Sequence, residues 1–85
     1  MLKVIFVGNI EANRLEAEIR DERYDLVAIV YEDSDGWHVE RHSSTGVPGR
    51  FLRKVKDELM SRPNRRGNDA PEGMSRGEYS LWLLE

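Results

Sequence analysis

The longest uninterrupted apolar run in this chain covers only residues 26–31, Leu-Val-Ala-Ile-Val-Tyr. A run of that length suits a strand covered on both faces and is far short of the roughly 20 residues that span a bilayer. Two other β-favouring runs are equally short: Val4-Ile5-Phe6-Val7 near the start, and residues 78–84, which include Tyr79, Leu81, Trp82, Leu83 and Leu84. Apolar residues make up 39% of 85, enough for one thin core. A domain this small buries only about 60–65% of the surface its unfolded chain exposes. With no cysteine present, neither disulfides nor thiolate zinc sites help to hold it. We expect a single α+β domain over residues 1–85, held by packing alone. The opening run is followed at once by Gly8, Asn9 and Glu11, which leaves it too short for a signal-peptide core. The expectation is a cytoplasmic protein with no membrane partner.

The order of elements follows from periodicity. Residues 4–7 read as a strand ended by Gly8-Asn9. Residues 11–23 are rich in Ala, Glu, Leu and Arg, and Asn9 is placed to cap a helix there, with Ala12, Leu15 and Ile19 as a narrow apolar stripe. The competing reading of that segment is an alternating strand through Leu15-Glu16-Ala17-Glu18-Ile19. Residues 26–31 and 37–42 form the second and third strands, joined as a hairpin by the turn Glu32-Asp33-Ser34-Asp35-Gly36. Phe51, Leu52, Val55 and Leu59 recur at helical spacing over residues 50–61, and Pro63 stops that helix. Residues 62–77 hold Pro63, Pro71 and three glycines with little to bury, which predicts a flexible or binding loop. The apolar C-terminal run predicts a last strand that pairs with one inside the sheet. The sum is β-α-β-β-α-β, a ferredoxin-like fold: a four-stranded antiparallel sheet of order 4-1-3-2, two helices on one face and the other face open.

Charge is split along the chain. Residues 1–40 carry four bases against ten acids, whereas residues 41–76 carry nine bases against four acids. The formal total of −3 therefore hides a dipolar molecule, and such fields govern which partners a protein meets. Arg50, Arg53, Lys54 and Lys56 lie on the second helix, and Arg62, Arg65 and Arg66 follow it. Cations in that pattern can contact phosphates, each adding salt-sensitive affinity without sequence information. They can equally be a solvated helix face.

Ile5-Phe6-Val7-Gly8-Asn9-Ile10 resembles the first ribonucleoprotein motif of RNA-recognition motif domains, whose fold has the same order of elements. The resemblance implies that Phe6 stands on the open sheet face where a base stacks. Gly36-Trp37-His38-Val39 falls where that family's second motif lies, with Trp37 as its one aromatic; Val39 and Asp35 depart from the pattern. The residues themselves agree in part. Phe6 and Trp37 on adjacent central strands, with Arg41 on the face of Trp37, would make a stacking platform for single-stranded bases. The rival reading makes both aromatics core or dimer-interface residues.

Other signals are weaker. His38, Glu40 and His42 alternate on one strand face, but the outer pair would be about 13 Å apart, too far to share one metal ion. Asp33-Ser34-Asp35-Gly36 begins like a calcium loop and lacks the later glutamate. No phosphate loop, nucleophile elbow or dinucleotide fingerprint is present. No cofactor or metal is expected. The leading expectation is a non-enzymatic binding domain that recognises a macromolecule, with single-stranded nucleic acid the most concrete candidate. Its proposed contacts are Phe6, Trp37, Arg41, Arg50, Arg53, Lys54, Arg62, Arg65 and Arg66. The first alternative is a protein-interaction module, such as a regulator, inhibitor or phage accessory protein that docks on a larger target, with a homodimer through the open sheet face as one form of it. The second is a small hydrolase using His38, Glu40 and His42.

Overall fold

A computed structural model of the chain describes residues 2–9, 11–62 and, as backbone only, 79–83. Along these residues run β1 (Leu2–Asn9), β2 (Arg14–Arg20), β3 (Leu26–Asp33), β4 (Gly36–Arg41), α1 (Gly49–Met60) and β5 (Tyr79–Leu83). The strands form one antiparallel sheet in the order β4-β3-β2-β1-β5. The first four make a meander, and β5 pairs with the free side of β1. The class is α+β, as expected, and the hairpin of residues 26–31 with 37–42 is present as β3 and β4. The described part of the C-terminal run, residues 79–83, pairs with β1 as an edge strand.

The two-helix, ferredoxin-like arrangement is corrected. Residues 14–20 form a strand, so the described order is β-β-β-β-α-β and the sheet order 4-1-3-2 does not occur. Tertiary pairing overrides helix propensity here. As a helix, this segment would bury only a narrow stripe. As a strand it turns Leu15, Ala17 and Ile19 to the core, where Ala17 and Ile19 are fully buried between β1 and β3. The same alternation sets Arg14 beside Glu16 and Glu18 beside Arg20 on the opposite face, at salt-bridge distances of 2.7 and 3.0 Å. Asn9 does accept a backbone N–H three residues on, from Ala12 at 3.0 Å. It closes the β1–β2 turn, where Asn13 takes φ +53°, rather than capping a helix.

The core lies between the sheet and α1. Leu2, Val4 and Phe6 of β1, Ala17 and Ile19 of β2, and Ala28 and Val30 of β3 meet Phe51, Val55 and Leu59 of the helix. The i, i+4, i+8 spacing of those three helical residues places them on one stripe, as the sequence predicts. Pro48 precedes the helix, its carbonyl accepting from Phe51 and Leu52 N–H. Among the described residues no helix is long and apolar enough to cross a membrane. The predicted loop of residues 62–77 lies, except for Arg62, outside the described residues.

Candidate interaction surfaces

Register settles which face each candidate occupies. Phe6 aligns with Ala17, Val30 and Val39 across the sheet, and Trp37 aligns with Glu32, so Phe6, Trp37, Val39 and Arg41 do share a face. It is the face that α1 covers. Phe6 is 1% exposed and sealed in the core. Nor are β1 and β4 adjacent: β2 and β3 lie between them, which separates the two strands by about 14 Å at the usual strand spacing. Trp37 is half-buried, packed against the core with Val39 and Leu52, and Lys56 Nζ stands 5.8 Å from its ring. The aromatic pair therefore does not form an open platform. The strand with the ribonucleoprotein-like residues exists, and its aromatic points under the helix.

The basic residues divide into two groups. Arg50, Arg53 and Lys54 are exposed along α1, and Arg41 is exposed at the end of β4. Arg62 is instead turned inward, its guanidinium 4.2 Å from the Phe6 ring centroid and its Nη1 donating to the Glu58 carbonyl at 3.0 Å. Arg65 and Arg66 lie outside the described residues.

The face away from α1 carries charges of both signs, most of them paired with one another. Glu16 accepts from Asn9 Nδ2 at 3.1 Å and from Arg14 Nε at 2.8 Å. Arg14 lies 3.8 Å over the ring of Tyr31, which stacks on His38 at 5.0 Å, and His38 Nε2 meets Asp33 Oδ1 at 2.8 Å. Desolvation and the nearby Glu40 raise the Tyr31 phenol above its ordinary pKa, against the opposing pull of Arg14. Desolvation also opposes ionisation of Asp33. The Asp35 N–H and His38 outweigh it and hold that carboxyl below its usual range. At the other end of the sheet, Lys3 and Arg20 lie over the Tyr24 ring at 3.8 and 5.7 Å. Among the described residues, the aromatic rings of this face each carry a cation or an imidazole, and its charges are of both signs.

His38 and Glu40 stand on that face, whereas His42 follows β4, its backbone N–H bonded to the Val27 carbonyl at 2.9 Å. With His38 engaged by Asp33 and Tyr31, the three side chains do not converge on a pocket. Among the described residues no group of three or more His, Asp or Glu side chains is arranged to hold a metal ion. A shallow cleft of about 330 Å3 is lined by Leu2, Asp21, Glu22, Arg23, Asp25 and Thr45. Asp21 is committed there to its own turn, accepting from Arg23 and Asp25 N–H at 2.8 and 3.0 Å.

Sequence reasoning missed Arg14, Tyr31 and Asp33 as a connected group, because their contact depends on β2 pairing with β3. It also passed over Glu32, which is 5% exposed and the one buried charged residue among those described. Its alternation with Tyr31 and Asp33 was a usable signal, because it puts Glu32 on the core face. Comparison with protein families, curated proteins and solved structures found no match to this chain.

Proposed function

We infer that this chain is a small non-enzymatic binding domain that engages a polyanion, with single-stranded nucleic acid the leading candidate, through the solvent face of α1. One observation carries the reading: α1 is charged against its own dipole. Arg50, Arg53 and Lys54 occupy its N-terminal half, whereas its C-terminal half sets Asp57 and Glu58 against Lys56 alone, with no acid in the first turn and no base in the last. A helix N-terminus carries partial positive charge, so a cation there lowers stability by a few tenths to about 1 kcal/mol. Helices under no other demand place their charges the other way round. Here side chains and dipole add to one positive region, which is useful where an anion must be held. Arg53 and Lys54 form no ion pair among the described residues.

Binding of this kind reads phosphates rather than bases. Phe6 and Phe51 are buried, so the exposed cations supply most of the contact energy. Three or four neutralised phosphates on a single strand give an affinity loss of about 20- to 50-fold between 50 and 200 mM salt. The test is a salt-titrated binding assay with mixed-sequence single-stranded oligonucleotides. The double variant Arg53→Glu/Lys54→Glu should abolish binding while leaving the thermal transition in place. No binding by the wild-type chain at low salt removes this reading.

A further inference from the structure

Among the described residues β4 ends the sheet, so one side of its backbone faces no neighbouring strand. The His42 N–H bonds to the Val27 carbonyl, and the β3–β4 register runs unbroken from Ala28 opposite Arg41 to Asp33 opposite Gly36. Antiparallel ladders alternate. Gly36, His38, Glu40 and His42 therefore turn their backbone groups to β3, and Trp37, Val39 and Arg41 turn theirs outward. Natural edges are usually blunted by proline, a bulge or uncompensated charge. This strand has no proline and no bulge, and its charges are of both signs.

We propose that β4 pairs antiparallel with β4 of a second copy about a two-fold axis through Val39, giving a dimer with one continuous sheet. In that register the outward-facing residues of the two copies meet in full: Trp37 opposite the partner's Arg41, Val39 opposite the partner's Val39, Arg41 opposite the partner's Trp37. The pairs between them set His38 against the partner's Glu40. Every pair is complementary: a guanidinium beside an indole, an imidazole beside a carboxylate, valine on valine. A slip of two residues one way puts histidine opposite histidine. A slip the other way puts glutamate opposite glutamate, and either leaves an outward residue unmatched. The arrangement is isologous, as a two-fold interface must be. It also covers Trp37 and Val39, which are only half-buried in one copy. An axis perpendicular to the sheet keeps both α1 helices on the same side. This association uses the sheet edge rather than its open face, and it stands apart from the polyanion reading.

The chain has no cysteine, so Val39→Cys introduces a single thiol at the axis. Under mild oxidation at tens of micromolar, most of that variant should cross-link. Two Arg41→Cys thiols would lie about 13 Å apart along the strands, beyond the roughly 7 Å that a disulfide spans, so that variant should cross-link at least tenfold less. Glu40→Arg, at an exposed position, should raise the dimer dissociation constant about threefold to thirtyfold in sedimentation equilibrium, since two symmetry-related pairs are lost. A wild-type chain that sediments as a monomer at several hundred micromolar overturns the proposal. So does equal cross-linking by the two cysteine variants.

Discussion

The guanidinium of Arg62 lies 4.2 Å from the centroid of the Phe6 ring, so two residues that the sequence marks as separate ligands for a nucleic acid are ligands for each other. The contact ties the end of α1 to β1 on the buried side of the sheet. Arg62 also donates to the Glu58 carbonyl in the last helical turn, beside the Ser61 hydroxyl and backbone N–H.

That placement separates the arginines by experiment. Arg62→Ala should destabilise the fold by about 1 kcal/mol through the lost ring contact and cap, with oligonucleotide affinity changed little. Arg53→Ala should do the opposite: stability within about 0.5 kcal/mol of wild type and a weaker, less salt-sensitive complex. Urea titrations and binding isotherms on the same samples check both.

Gly49 opens α1 with empty space where a Cβ would stand. Gly49→Glu should therefore stabilise the protein by about 0.5–1.5 kcal/mol, from reduced chain entropy in the unfolded state and an acid at the positive helix end. On a domain of this size that raises Tm by several degrees. The same change should weaken polyanion binding, so that stability and affinity move in opposite directions. Differential scanning calorimetry beside the oligonucleotide assay measures the pair.

Asp33 links the β3–β4 turn to pH. Its folded-state pKa lies below the ordinary 3.8, so its contribution is present above that value and fades as pH falls through the lowered one. Asp33→Asn should be less stable than wild type at about pH 6, and the gap should narrow as pH falls below the ordinary carboxylate value of 3.8. Urea midpoints of the two proteins across that range give the curve. A gap that stays constant would mean that Asp33 acts through shape alone.

Leu59 is fully buried beneath the last turn of α1. Leu59→Ala should lower unfolding free energy by about 2–4 kcal/mol, from lost burial and the cavity left behind. That is a large share of the roughly 4–12 kcal/mol available to a chain of this length. Equilibrium denaturation checks the value.

Sequence alone determined those elements whose patterns admit one solution. Residues 26–31 had to be a strand, the Asp-Ser-Asp-Gly stretch after it a reversal into the next strand, and Phe51, Val55 and Leu59 the buried stripe of a helix. In each case the period of the apolar residues and the turn chemistry agree. Residues 14–20 had no such agreement. Their composition favours a helix, their alternation a strand, and only pairing on both sides by β1 and β3 tipped the balance. From that one decision the rest of the surface follows. With a fourth strand in the meander, Phe6 and Trp37 stand three strands apart, under the helix rather than open to a ligand. Which face of a sheet is covered depends on where a helix docks, and docking is a contact between segments far apart in the chain. Local residues carry the charge of α1 and the alternation of β4. Only the assembled sheet makes one a solvent face and the other an edge.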